Sequence, residues 1–160
     1  MRVVMTLAFY PRGGGAQVAR YLARALGDRG LDVSLCCGSL GCPGAGSHAG
    51  TFFAGLDVHA LDFTEAEARY GRGEDPMTAR VPMHPSFEDR PAVPDRVFTS
   101  LGEADYRRQV AAWCRLLEQV GPPDLYHVHH LTHVNDAVTA QGAIPTVVHL
   151  HGTELKLLDA

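Results

Sequence analysis

The sequence has little positive charge and no long hydrophobic run. Lysine and arginine together number 14 against 18 aspartates and glutamates, which gives a formal net charge of −4. A protein that neutralises a phosphate backbone needs a basic excess, so nucleic acid is a poor candidate partner. The apolar segment at residues 1–8 is too short for a secretory signal or for a membrane span of about 20 residues. We therefore expect a cytoplasmic protein.

Cysteines and several catalytic motifs are also scarce or absent. The four cysteines come without an export signal, so we expect reduced thiols, with Cys36 and Cys37 buried on opposite faces of a strand. No G-x-S-x-G elbow occurs, and no lysine precedes Lys156, which disfavours a serine nucleophile and a P-loop. Val18 interrupts a G-x-G-x-x-G pattern, which disfavours NAD and FAD.

Strand and helix patterns alternate along the chain. An apolar run at 2–8 precedes a glycine turn, a helical stripe and a second strand at 31–37. Later segments repeat this order: a strand at 57–61, a helix at 64–72, a helix at 103–120, a strand at 124–129, a helix at 133–141 and a strand at 145–150. Five prolines exclude regular helix between 75 and 96, which we interpret as a functional insertion. The pattern predicts one α/β domain over residues 1–160, with a parallel sheet and helices on both faces.

A glycine loop, Gly13-Gly14-Gly15, separates the first strand from its helix. Glycines let backbone N–H groups approach a ligand, and a helix N-terminus adds about half a positive charge, which suits a phosphate or carboxylate. Arg12 stands beside the loop and adds a side-chain donor. Glycine-rich turns also occur for steric reasons alone, so anion binding and a purely structural turn both stay open.

Histidines are concentrated near the end of the sequence, where six of the nine lie between positions 127 and 151. By the two-residue strand period, His127 and His129 share one face, as do His149 and His151. We expect His127 and His149 to be core residues, and His151, at a strand end with Glu154 close by, to have a functional role. A zinc or copper site formed from adjacent strands is a weaker alternative.

Three segments together resemble a known enzyme family. Residues 11–17, the strand at 124–129 and the H-L-H-G-T-E segment at 149–154 resemble the N-terminal, acceptor-side half of family-4 (group 1) glycosyltransferases. The resemblance implies a Rossmann-like domain of a GT-B fold and retaining, metal-independent transfer from a nucleotide-sugar donor to an acceptor, without a cofactor. Carried over by position, Gly14, Gly15 and Arg12 border the donor phosphates, His151 is catalytic, and His129, Thr153 and Glu154 contact acceptor or sugar.

The family's E-x7-E motif and its diphosphate-binding basic residues have no counterpart here. The resemblance therefore implies that a C-terminal donor-binding domain of the same protein is missing, and that residues 1–160 alone are inactive or nearly so. The pattern from Thr153 onward is typical of a helix that has just begun, which agrees with a truncated chain. The proline-rich segment at 76–96, which includes residues 84–90, either shapes an acceptor pocket or forms a packed surface loop. An exposed domain interface favours homodimers of the isolated domain.

A second interpretation comes from another functional class. The chain is then a stand-alone Rossmann-like domain that binds a ligand or anion, or another protein, without catalysis. A reading frame that continues into a second α/β domain bearing E-x7-E distinguishes the enzyme from this alternative. The sequence identifies neither the sugar, the nucleotide nor the acceptor.

Overall fold

The structure is a computed structural model, and it describes residues 1–88 and 90–154. Within these residues five strands form one sheet: β1 (Arg2–Leu7), β2 (Asp32–Ser39), β3 (Asp57–Asp62), β4 (Leu125–His129) and β5 (Thr146–His149). The helices are α1 (Gly13–Gly27), α2 (Ala49–Phe52), α3 (Thr64–Gly71), α4 (Glu103–Val120) and α5 (His133–Thr139). Short 3-10 turns occur at Pro76–Thr78 and Phe98–Ser100.

All neighbouring strands in the sheet are parallel, in the order β3-β2-β1-β4-β5. The chain therefore builds outward from β1 to β3 and then returns to the other side of β1 with β4. The α/β prediction is confirmed, and the sheet is Rossmann-like. This reversal opens a crevice beyond the carboxyl ends of β1 and β4, which is where ligands bind in open α/β sheets.

The sheet separates two hydrophobic cores. Trp113 of α4 packs with Cys36 and Val128 on one face, while Ala19 and Ala23 of α1 lie buried on the other, where Met5 and Cys37 point. The two cysteines thus occupy opposite faces, as predicted. Burial raises the pKa of Cys36 to about 12 and that of Cys37 further, so both thiols remain protonated and pack as small apolar groups.

Most element bounds agree with the sequence patterns because apolar periodicity follows the core. The α4 helix spans the predicted residues, and the other predicted elements shift by no more than two residues at an end. The helix predicted from Thr153 onward lies largely outside the described residues. In the described part of the chain, no helix is both long and apolar enough for a membrane span.

The proline-rich segment packs tightly although its only regular element among the described residues is the 3-10 turn at Pro76–Thr78. Its residues Met77, Met83 and His84 are fully buried, and Ser86 forms a bridge with Val97. Gln109 of α4 donates a side-chain hydrogen bond to the carbonyl of Met83. These contacts hold the segment against the carboxyl end of the sheet, where it forms one wall of a cleft.

Candidate functional site

A cleft of about 470 Å³ opens at the carboxyl ends of β1 and β4. One wall is the start of α1, and the opposite wall belongs to the proline-rich segment. Its lining residues are Leu7, Phe9, Arg12, Gly13, Gly15, Ala16, Ser86, Phe87, Glu88, Arg90, His130 and Thr153. Three of the predicted site residues, Arg12, Gly15 and Thr153, are therefore among them.

The glycine turn lets α1 begin directly at the cleft. Gly13 has a φ of +63°, which favours glycine, and Arg12 at the N-cap position makes no side-chain capping hydrogen bond. The first N–H groups of a helix have no partner within the helix, so an uncapped N-terminus offers donors to an anion. Gly14 does not line the cleft, and a Cβ there would have no heavy atom within 4 Å.

Gly15 is the point of closest approach between the turn and the histidines. A Cβ at this position would lie 3.0 Å from Nε2 of His130 and 3.9 Å from Cε1 of His151. A side chain would therefore press against the His130 ring. The absence of a side chain at Gly15 keeps the space between α1 and β4 open.

Positive arginine side chains and negative carboxylates lie close together in the cleft wall. The buried Asp95 accepts hydrogen bonds from Arg12, at 3.1 Å, and from Arg90. Burial opposes ionisation of Asp95, but contacts with His84, Arg90 and Arg12 hold its pKa below the usual range. Because Glu88 also lines the cleft, the described residues of this wall combine two guanidiniums with two carboxylates and have no excess positive charge.

His130 is the histidine that reaches the cleft. It has a φ of +71°, rare for a residue with a side chain, and its Nδ1 lies 2.6 Å from Oε1 of Glu154. Glu154 also accepts hydrogen bonds from the N–H groups of Leu131 and His151. Burial opposes ionisation of Glu154, but the hydrogen bonds from backbone N–H groups and the contact with His130 hold its pKa below the usual range. Burial lowers the pKa of His130 despite the neighbouring carboxylate.

The pair therefore consists of a neutral imidazole and a carboxylate. A carboxylate at Nδ1 places the proton on that nitrogen, which leaves the lone pair on Nε2, the atom nearest Gly15. His130 was not selected as a site residue from the sequence. Two features of the sequence could have indicated this role: His130 directly follows the last residue of a strand, and it belongs to the same histidine cluster as His151.

The other predicted site residues form a layer behind His130. His151 stacks on His130 with ring centroids 4.3 Å apart, and its Nε2 lies 2.9 Å from Nδ1 of the fully buried His129. Burial and neighbouring histidines lower the pKa of His151 to about 4. His129, His151 and Glu154 are not part of the cleft lining. Glu154 and His151 instead contact His130, which does line the cleft.

The prediction that His127 and His149 are core residues is wrong. Both are only half-buried, and their rings stack 5.8 Å apart on one face of β4 and β5. On this face α1 packs against β1 and β2, and no described helix packs to a comparable extent against β4 and β5. Periodicity correctly placed these side chains on one face, but it did not show whether a helix covers them.

No protein-family model matches the chain, and no curated protein matches it significantly. The fold and the cleft define a Rossmann-like α/β protein with a candidate ligand site at the reversal point of its sheet.

Proposed function

We propose that residues 1–160 form the acceptor-side half of a retaining glycosyltransferase that uses a nucleotide-sugar donor. The supporting observation is the pairing of His130 with Glu154 opposite the uncapped N-terminus of α1. Glu154 belongs to one of the segments that resemble family-4 glycosyltransferases, and His130 directly follows another, at 124–129. Gly15 of the third segment lies against His130.

The start of α1 binds the donor phosphates in this proposal. Gly13 and Gly15 allow close approach, the first N–H groups supply donors, and Arg12 lies at the rim. Arg12 is held in place by Asp95 and by stacking over Tyr10, with its guanidinium carbon 4.9 Å from the ring centroid. A fixed guanidinium loses little conformational freedom when a ligand binds.

The histidines hold hydroxyl groups of the sugar or acceptor. Nε2 of His130 accepts a hydrogen bond from a hydroxyl, because Glu154 keeps the proton on Nδ1. His151 supports this ring from behind and itself approaches Gly15. Thr153 supplies a further hydroxyl at the cleft.

Charge balance requires a contribution from outside these residues. A departing nucleotide diphosphate needs concentrated positive charge, which the balanced arginines and carboxylates of the cleft do not provide. We propose that a second, donor-binding domain supplies it across the cleft. Transfer itself needs no metal ion in this proposal.

Calorimetric titration tests the proposal on two proteins, residues 1–160 and the chain encoded by the complete reading frame. Nucleotide sugars and free nucleotides should bind the longer protein, and binding should be lost in His130→Ala and Gly15→Val. The matched control is His59→Ala, on β3 at the opposite sheet edge, which should bind as the wild type does. Absence of binding to the complete chain, or binding unchanged in both cleft variants, would overturn the proposal.

A non-catalytic anion-binding domain is the second candidate. The observation that favours it is that the uncapped α1 N-terminus and Arg12 lie in one cleft formed entirely by this chain. Phosphate or nucleotide binding by residues 1–160, together with no sugar transfer by the complete chain, would select this alternative.

A further inference from the structure

We propose that His127, His129 and His149 form a binding site for a first-row transition-metal ion of the zinc class. None of the three lines the cleft. The proposal does not rest on the glycosyltransferase function, and the ion has no part in sugar transfer.

Sheet register brings the three rings together. In the parallel pairing of β4 and β5, His129 lies directly opposite His149, and His127 precedes His129 by two residues on the same face. One ligand nitrogen from each ring lies within 4.8 Å of the other two. Tetrahedral zinc with Zn–N bonds of about 2.0–2.1 Å needs nitrogens about 3.3 Å apart. The nitrogens must therefore approach one another by up to about 1.5 Å, through rotation of the side chains, to bind one ion.

The donor set selects the class of ion. Imidazole nitrogens suit zinc, copper and nickel, whereas magnesium and calcium prefer oxygen ligands. Within the described part of the chain, the rings of His127 and His149 make no hydrogen bonds, so no polar partner competes for them. Both rings are half-exposed, which gives an ion a path to the site from solvent.

His129 supplies an independent observation. The side chain of His129 is fully buried, and its Nε2 has no hydrogen-bond partner among residues 1–88 and 90–154. A buried nitrogen without a partner is costly, and a metal bond would satisfy it. The other nitrogen, Nδ1, lies 2.9 Å from Nε2 of His151. Metal-binding histidines usually hold their second nitrogen in this way, which fixes the ring and its tautomer.

The three rings are stacked side by side. The planes of His127 and His129 are inclined by 22°, and those of His129 and His149 by 23°. In this arrangement Nε2 of His129 has no hydrogen-bond partner among the described residues.

Equilibrium dialysis against zinc chloride, followed by elemental analysis, tests the site on protein purified without a histidine tag. The wild type should bind one zinc ion per chain and no magnesium. The half-exposed His149 can be changed with little effect on the core, and His149→Ala should weaken zinc binding at least tenfold. His127→Gln is the second variant, and His59→Ala on β3, also a half-exposed strand histidine, is the control.

Histidine ring signals in NMR spectra give a second measurement. Zinc should shift the signals of His127, His129 and His149 and leave those of His48 and His59 in place. Failure of the wild type to bind zinc, or wild-type affinity in both His149→Ala and His127→Gln, would overturn the proposal. Zinc-induced shifts confined to His48 or His59 would do the same.

Discussion

His130 and Glu154 form a buried pair in which Nδ1 of the ring lies 2.6 Å from Oε1 of the carboxylate. The pair connects the end of β4 to the residues that follow β5, and Glu154 binds backbone N–H groups on both sides of this junction. Its carboxylate therefore has two roles: it joins two chain segments and fixes the proton of the histidine that faces the cleft.

Replacing Glu154 by Gln should reduce stability. The amide keeps the volume of the side chain but removes the charge from a buried hydrogen bond, a change that costs about 1.5–3 kcal/mol. Urea denaturation measures the loss, and nitrogen NMR shifts of the imidazole report a change of His130 tautomer. Glu67→Gln on the exposed surface of α3 is the control and should remain within about 0.5 kcal/mol of the wild type. Equal stability of the two variants would contradict the role of the pair.

Gly14 and Gly15 should respond differently to alanine. Both lie in the first turn of α1 with negative φ, and alanine favours a helix over glycine by up to about 1 kcal/mol. A Cβ at Gly14 meets nothing, so Gly14→Ala should gain stability. A Cβ at Gly15 would lie 3.0 Å from Nε2 of His130, so Gly15→Ala should gain nothing and displace the ring. Thermal denaturation of the two variants measures the difference, and an equal gain would show that His130 does not restrict this position.

The fold was predictable because its elements follow apolar periodicity. The continuous run of β1 reflects burial on both sheet faces, and the stripe of α4 reflects one buried face. Periodicity also predicted that His127 and His149 share a face with their neighbouring histidines. Their exposure was not predictable, because it depends on which strands the helices cover on that face.

The cleft was predictable only in part. Arg12, Gly15 and Thr153 were selected from local motifs, but the wall opposite them comes from a segment with no periodicity. Arg12 pairs with Asp95 across 83 residues, and no local pattern indicates such a contact. His130 was missed because its role depends on a positive φ and on contact with Glu154, which are properties of the folded chain.

Two buried histidines should make the protein sensitive to mild acid. Burial lowers the pKa of His84 and of His133 to about 3, against about 6.5 in an unfolded chain. Between these values the unfolded state binds protons that the folded state does not. Stability is therefore fully present above pH 6.5 and falls as the pH drops toward 3, by up to about 1.4 kcal/mol per pH unit for each group.

Denaturation curves at several pH values for His133→Phe test this expectation. Phenylalanine fills a similar volume beside Trp113 and does not titrate, so the stability curve should be less steep between pH 6.5 and 3. Val134→Ala, a neighbouring buried residue, should lower stability by a similar amount at every pH. If stability falls with pH as steeply in His133→Phe as in the wild type, His133 does not contribute to the acid sensitivity.

Asp95→Asn should strengthen anion binding while weakening the fold. The substitution removes the carboxylate that Arg12 and Arg90 share, so the cleft gains one positive charge. Because both guanidiniums are partly exposed, solvent screening limits the stability loss to roughly 1–3 kcal/mol. Calorimetry with inorganic phosphate should show several-fold tighter binding than in the wild type, and this gain should shrink as salt is added. Asp28→Asn, at the other end of α1, removes the same charge away from the cleft and should leave phosphate affinity unchanged. Equal phosphate affinity in Asp95→Asn and Asp28→Asn would mean that the two arginines do not face the bound anion.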